Sequence, residues 1–224
     1  MPFKQLYSKL LSYFGFRDWW PGDSKLEICI GAILTQQTSW SNVERAIEKI
    51  KSNGYMNLER LAYLDISSLE NLVRSTGFYK TKARYLQGFC KYVLEHYKSL
   101  DNLLSKPYEE LRKELLGISG IGRETADSII LYASEQLSFV VDAYTKRVLK
   151  RVYGIEENDY EYIKALFESL IDKDLDLYKD FHAQIVELCK NICKSDPICS
   201  ICPISSYCLY NRSELNTKKI KESH

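Results

Sequence analysis

No stretch of the sequence approaches the ~20 consecutive apolar residues needed to cross a bilayer. The longest apolar run, residues 28–34, suits a buried helix. The first sixteen residues (MPFKQLYSKLLSYFGF) are interrupted by Lys4, Gln5 and Lys9 and lack a small-residue cleavage site, so they do not read as a signal peptide, and a cytosolic chain is expected. Glycine (10) and proline (5) are scarce, which excludes collagen-like and broadly disordered architectures. Histidine is scarcer still: His96, His182 and His224 are scattered and form no metal triad. Net charge is nearly absent, with 31 Lys and Arg against 30 Asp and Glu. That balance argues neither for nor against nucleic acid, because a local basic face can bind phosphates on a neutral protein. Strand pairs and long internal repeats are also missing. What remains is an ordinary soluble composition, 45% hydrophobic and 27% charged, over 224 residues, enough for one large domain or two lobes. Tyrosine is common, at 17, which fits amphipathic helices with wet rims and base-stacking surfaces alike.

Apolar residues recur three and four apart along most of the chain, the period of a helix. Leu26, Ile30, Ile33 and Leu34 share one face; Val43, Ala46, Ile47 and Ile50 share another, with Ser41 or Asn42 as the cap. Further helical patterns run over 58–63, 67–75, 80–97, 107–116, 123–134, 143–153, 159–170 and 178–189. The connections are short and hold Gly or Pro. The class is all-α. The last residues (RSELNTKKIKESH, 212–224) are polar and Lys-rich and read as a frayed tail.

Five of the seven cysteines crowd into LCKNICKSDPICSICPISSYC. In a cytosolic chain such crowding points to metal before disulfides. The core spacing is Cys193-x5-Cys199-x2-Cys202-x5-Cys208. Zinc sites usually pair two C-x2-C arms across a longer spacer; a single C-x2-C with long, near-equal arms suits four corners of a larger object, so the spacing leans to [4Fe–4S] with zinc as the alternative. Cys189 lies one turn earlier on a helix and reads as packing, as do Cys29 and Cys90.

The segment Gly117-Ile118-Ser119-Gly120-Ile121-Gly122-Arg123 lies between two amphipathic helices. Its glycines permit positive φ and close backbone approach. The loop amides and the first N–H groups of the next helix form a ready site for one phosphate. Ile118 and Ile121 favour a hairpin that packs.

Together, these features resemble the endonuclease III-like helix–hairpin–helix (HhH-GPD) DNA glycosylases. The family hairpin reads roughly L-P-G-V-G-x-x-T-A; here it is I-S-G-I-G-R-E-T-A, with Ser119 in place of proline. The family's catalytic Asp follows an apolar run in V-D-T-H or V-D-A-Y; here Asp142 stands in Phe139-Val140-Val141-Asp142-Ala143-Tyr144. The segment GFYKTKARYL (77–86) matches G-x-y-x-x-K-A-x-x-L, and the cysteine loop resembles the cluster loop with one residue fewer in its first gap. The likeness runs from about residue 20 to about residue 210 in consistent order. It implies a six-helix barrel lobe (25–136) holding the helix–hairpin–helix (107–134), and a second lobe (1–24 with 137–211) holding an iron–sulfur loop (193–208), with the catalytic cleft between them. It also implies a monomeric, cytoplasmic, nucleoid-associated enzyme of prokaryotic type, acting on double-stranded DNA with a damaged base and not on membranes.

On that resemblance Asp142 is the catalytic residue, a fixed carboxylate beside the sugar cation that forms as the C1′–N bond lengthens. The same Asp is also an ordinary N-cap for the helix that follows, and the roles are compatible. Gln37 aligns with the glutamine that fills the gap left by a flipped base. Bifunctional members carry a lysine where this chain has Glu124; the interval to Asp142, eighteen residues, is the family's own. A carboxylate cannot form a Schiff base, so the expected enzyme is a monofunctional N-glycosylase without lyase activity. The D-W-W-P-G segment is similar to the branch that includes the 3-methyladenine glycosylases. That likeness implies a base pocket of Trp19, Trp20, Trp40, Glu124 and Tyr144 for an alkylated purine, although any single Trp is as readily inter-lobe core. Uracil, mismatched thymine and oxidised bases remain open. So do a lyase with a relocated amine (Lys146 or Lys150) and a non-catalytic damage-binding module. Of the basic residues Lys80, Lys82, Arg84, Arg123, Lys146 and Arg147, only Arg123 is carried over as a phosphate contact.

Overall fold

A computed structural model of the protein describes residues 1–213, so the expected tail lies almost wholly outside the described residues. No strand occurs among the described residues. The helices include α1 (Phe3–Phe14), α2 (Lys25–Leu34), α3 (Trp40–Ser52), α4 (Leu58–Tyr63), α5 (Ile66–Leu72), α6 (Tyr79–Tyr97), α7 (Leu100–Leu104), α8 (Tyr108–Gly117), α9 (Arg123–Ser128), α10 (Ala143–Val148), α11 (Tyr160–Leu170) and α12 (Leu175–Asn191). Helices α9 and α10 each run on into a π turn, Ile129–Ala133 and Leu149–Tyr153. No helix among the described residues is long and apolar enough to cross a membrane.

Local chemistry sets many of the starts. Ser24, Asn57, Asp65, Ser99, Asp142, Asp159 and Asp174 each accept the backbone N–H three residues on. Each such cap contributes about 1 kcal/mol. Helix α3 corrects the expected cap. It begins at Trp40 after Ser39, while Asn42 lies inside the helix and donates back to Thr38 Oγ1 at 2.9 Å.

The chain divides into two compact units, Trp20–Ser138 and Met1–Trp19 with Phe139 onward. In the first, α4 and α5 pack on α6, and α2 packs on α3, α6 and the π turn after α9. Cys29, Ile30, Ile33, Leu34, Leu86, Phe89, Cys90 and Ile130 are among its fully buried residues. Among its buried charges, Asp127, with no exposed side-chain surface, receives Arg112 Nε at 2.9 Å, Arg112 Nη2 at 3.2 Å and Ser138 Oγ at 2.8 Å. In the second unit α1 packs on α11 and α12, and α10 packs on α12. Its core is aromatic: Phe139 stacks on Phe167 with centroids 4.3 Å apart, and Phe3 and Phe181 close around them.

Candidate functional site

The hairpin between α8 and α9 is a tight turn in which Ile121 N donates to Ile118 O at 3.1 Å. Ile118 and Ile121 point inward, each 5% exposed. Gly120 has φ +88°, and a Cβ there would lie 2.1 Å from Cγ of the Tyr85 ring, so this glycine is required twice over. Gly117 and Gly122 are different. Neither has a positive φ, and a Cβ on either would meet nothing within 4 Å. Their bareness answers no need of the chain itself and leaves the backbone open to a close visitor. Ser119, Arg123 and Glu124 are exposed around it.

Two glutamines follow α2. Gln37 is exposed at φ 53°, at the tip of a left-handed turn. Gln36, which no sequence motif marks, holds the hairpin: its Nε2 donates to Gly120 O at 2.9 Å and to Thr125 Oγ1 at 3.3 Å. The turn is fixed from below by Lys82, whose Nζ donates to Leu34 O at 2.9 Å and Thr76 O at 2.7 Å. Lys82 is buried, and burial pulls its pKa down to about 8. It therefore does not belong with the exposed cations able to reach DNA phosphates.

The tryptophans separate. Trp20 and Trp40 lie edge-to-face, centroids 5.1 Å apart and planes at 90°, with Tyr132 5.2 Å from Trp20. Gly31 makes room for both rings, since a Cβ there would come within 3.1 Å of Trp20 Nε1 and 3.3 Å of Trp40. Perpendicular rings this close leave no slot between them for a base. Trp19 is partly buried and belongs to the other unit.

Asp142 caps α10 with one oxygen and keeps the other apart. Oδ1 accepts from Thr145 N at 2.7 Å and Thr145 Oγ1 at 2.9 Å. Oδ2 faces Nε2 of the buried His182 on α12 at 3.6 Å, and the Asp142 side chain is 14% exposed. Burial alone would push its pKa up; His182 and the two Thr145 donations outweigh that, and the carboxyl is held below its ordinary value. It is an anion at neutral pH. Tyr144 sits under the Arg147 guanidinium at 5.4 Å, and its carbonyl faces Cys189 Sγ at 3.8 Å.

Cys193, Cys199, Cys202 and Cys208 line one apolar-walled hollow with Val152, Leu188, Ile192 and Ile204. No three metal-ligating side chains among the described residues lie close enough to grip a single ion. Arg151 stitches this loop to the π turn after α10: Nη1 donates to Cys193 O and to Cys193 Sγ, both at 3.3 Å, and Nη2 to Ser195 O at 3.0 Å. Cys208 Sγ returns a contact to Arg151 O at 3.2 Å. The Cys193 thiol is pulled down to about 6 by donation from Cys189, then by Arg151 and Arg147, against the opposing effect of burial. Burial raises Cys202 to about 11.

Comparison with known proteins gives the hairpin and Asp142 a common setting. Residues 30–173, a span holding both, match the HhH-GPD superfamily base excision DNA repair protein family. A Methanocaldococcus jannaschii protein that carries a DNA repair glycosylase name is 44% identical over 208 residues, 92% of this chain and 94% of that one. The structure of Helicobacter pylori 3-methyladenine DNA glycosylase bound to 1,N6-ethenoadenine is 31% identical with a TM-score of 0.77, covering 85% of this chain and 98% of that one. A trapped endonuclease III–DNA covalent intermediate shares the fold at a TM-score of 0.81 and 21% identity, covering 96% and 99%. A hairpin stripped to bare backbone, an anionic cap on the following unit and a near-complete relative at this identity have one account: the chain belongs to the HhH-GPD superfamily of base excision DNA repair proteins.

Proposed function

We propose that the protein is a monofunctional DNA glycosylase that hydrolyses the N-glycosidic bond of a damaged base extruded from duplex DNA and leaves an abasic site. The observation that carries this reading is the divided carboxylate of Asp142. Its Oδ1 is spent on the cap, and Oδ2 remains a partly buried negative charge. As the base departs with the bonding electron pair, C1′ becomes cationic, and a fixed anion beside it lowers that barrier. Water then adds its oxygen to C1′; Asp142 orients it and accepts its proton, which passes on to solvent, while a cationic base takes the bonding pair and departs neutral. Gln37, exposed on its turn, fills the vacated stack, and the hairpin backbone with Arg123 holds one phosphate.

The missing amine supports hydrolysis over lyase chemistry. Glu124 stands in the first turn of α9. The two lysines nearest Asp142 in sequence are engaged elsewhere: Lys146 Nζ with Asn158 O at 3.0 Å and Lys150 Nζ with Glu156 at 3.1 Å. The substrate class we favour is an N-alkylated purine, a cationic base that gains from an electron-rich aromatic face and from Glu124. Since Trp20 and Trp40 close on each other, such a base would lie against an outer ring face and not between these two. Likeness to the Helicobacter pylori enzyme supports the choice.

The four cysteines fit a [4Fe–4S] cluster better than one zinc ion. Their single C-x2-C with long arms suits the corners of a cluster, and they share one apolar-walled hollow with a guanidinium set to offset thiolate charge. Bound there by Cys193, Cys199, Cys202 and Cys208, a cluster would cross-link the loop; no step of the hydrolysis needs it.

Duplexes carrying alkylated purines, uracil, mismatched thymine or oxidised bases, incubated with the protein and resolved with and without alkali, test the reading. Alkali-dependent strand breaks at alkylated purines are expected. Strand nicking without alkali, with borohydride trapping lost on removal of Lys146 or Lys150, would replace it by a lyase; inertness on every lesion would leave a binding module.

A further inference from the structure

Helix α10 and its π turn carry four cations, Lys146, Arg147, Lys150 and Arg151, which line one hollow of about 740 Å3. They form two like-charged pairs at i,i+4 spacing, an arrangement that by itself destabilises a helix. The partners fix these side chains without cancelling most of their charge. Lys146 donates to Asn158 O at 3.0 Å and Arg147 to Cys193 O at 3.1 Å, both neutral carbonyls, while Arg151 donates to Ser195 O at 3.0 Å and to Cys193 Sγ at 3.3 Å. Among the described residues only Lys150 meets a carboxylate, Glu156 at 3.1 Å, with both side chains more than 60% exposed. Glu157, the other acid on the wall, spends Oε1 on the backbone N–H groups of Asn158 and Asp159. Among the described residues four cations thus face two carboxylates, and Ala143, next to Asp142 in the chain, forms part of the lining.

We infer that this hollow docks the phosphodiester backbone of duplex DNA, a contact site in the unit that lacks the hairpin. The inference rests on the glycosylase reading. Lys146 and Lys150 make the contacts, because a carbonyl bond and an exposed ion pair, each about 0–1 kcal/mol, are readily exchanged for phosphate oxygens. Arg147 and Arg151 stay with the cysteine loop and supply background potential.

The test is binding of an undamaged duplex, which needs no catalysis, measured from 50 to 200 mM salt. Each phosphate neutralised contributes about 0.9 to the slope of log K against log[salt]. The double variant Lys146→Ala/Lys150→Ala should lower that slope by roughly 1.8 and weaken binding tens of fold at 0.1 M salt. A matched pair outside the hollow, Lys4→Ala/Lys173→Ala, should leave the slope within 0.5 of the unaltered protein. An unchanged slope in the first pair, with duplex binding otherwise intact, sinks the inference alone and assigns the hollow to another anion. Equal losses from both pairs reduce it to bulk charge and overturn it. Failure of the unaltered protein to bind any duplex removes the glycosylase reading and this site with it.

Discussion

Changing Asp142 to Asn removes a charge and keeps a shape, while changing it to Ala removes both. The two variants therefore separate the two tasks of one carboxylate. Asn is as good an N-cap as Asp, so Asp142→Asn should retain the bond to Thr145 N and the stability of α10. Asp142→Ala leaves Thr145 N and Thr145 Oγ1 without their acceptor. That costs about 1–2 kcal/mol, a fall of roughly 2–8 °C in Tm for a chain of this size. Catalysis should respond otherwise. Losing a preorganised charge aimed at the transition state costs about 10²–10³ in rate, so both variants should drop by that factor in single-turnover release of an alkylated purine. The pH dependence follows from the same group. Because its folded pKa lies below the unfolded one, the stability it adds is present above the unfolded value, about 3.9, and is lost as pH falls through the folded value. The difference in stability between the native protein and Asp142→Asn should shrink in acid, as pH falls through the folded value of Asp142. An Asn variant that releases base at the native rate refutes the reasoning. So does a rate loss in Ala that Asn does not share, since the side chain would then be acting through the helix.

Three further outcomes are expected. His182→Leu takes away one of the groups that hold Asp142 ionised, so the acid limb of the base-release profile should move to higher pH; an unmoved limb would exclude a positioning role. Gly120→Ala places a methyl in the Tyr85 ring at positive φ and should cost about 2–4 kcal/mol in urea unfolding, whereas Gly117→Ala, in a helical end with open space, should gain up to about 1 kcal/mol while weakening duplex affinity. Unimpaired duplex affinity in Gly117→Ala would mean that no ligand backbone comes close there. Arg112→Leu takes two charged donations from the fully buried Asp127 and should destabilise by about 3–5 kcal/mol by thermal or urea melts, and a loss under 1 kcal/mol would show that the guanidinium does not hold the carboxylate.

Much of the helical order was legible because period and cap chemistry agree locally. The pattern over 58–63 is α4 as observed, and Asp159 stands as the cap of α11. The misses share a cause. Helix α1 buries Phe3, Leu6 and Leu10, yet its support comes from α11 and α12, and nothing within its twelve residues announces that partner. Helix α7 has five residues, too few to show a period. At the site, Asp142 could be found because a motif surrounds it, but His182 faces it from another helix, and Gln36 and Gln37 are alike until the fold sends one to Gly120 O and the other to solvent. Lys82 read as a surface cation because sequence gives a lysine's charge and not its depth. The Arg151–Cys193 stitch joins residues 42 apart through a guanidinium and backbone carbonyls, groups that leave no spacing rule behind.

The Met1–Trp19 segment belongs to a unit whose remainder begins only at Phe139. Tyr7, on α1, gives its hydroxyl proton to Asp180, 173 residues downstream. During synthesis at ~5–20 residues per second, α1 therefore emerges roughly 10–30 s before the helix it must cover exists. Trp20–Ser138 is uninterrupted and can close in that interval, so the ribosome delivers one finished half while the first helix waits with Phe3, Leu6 and Leu10 uncovered. A chain stopped before α12 would keep that stripe without the helix that covers it.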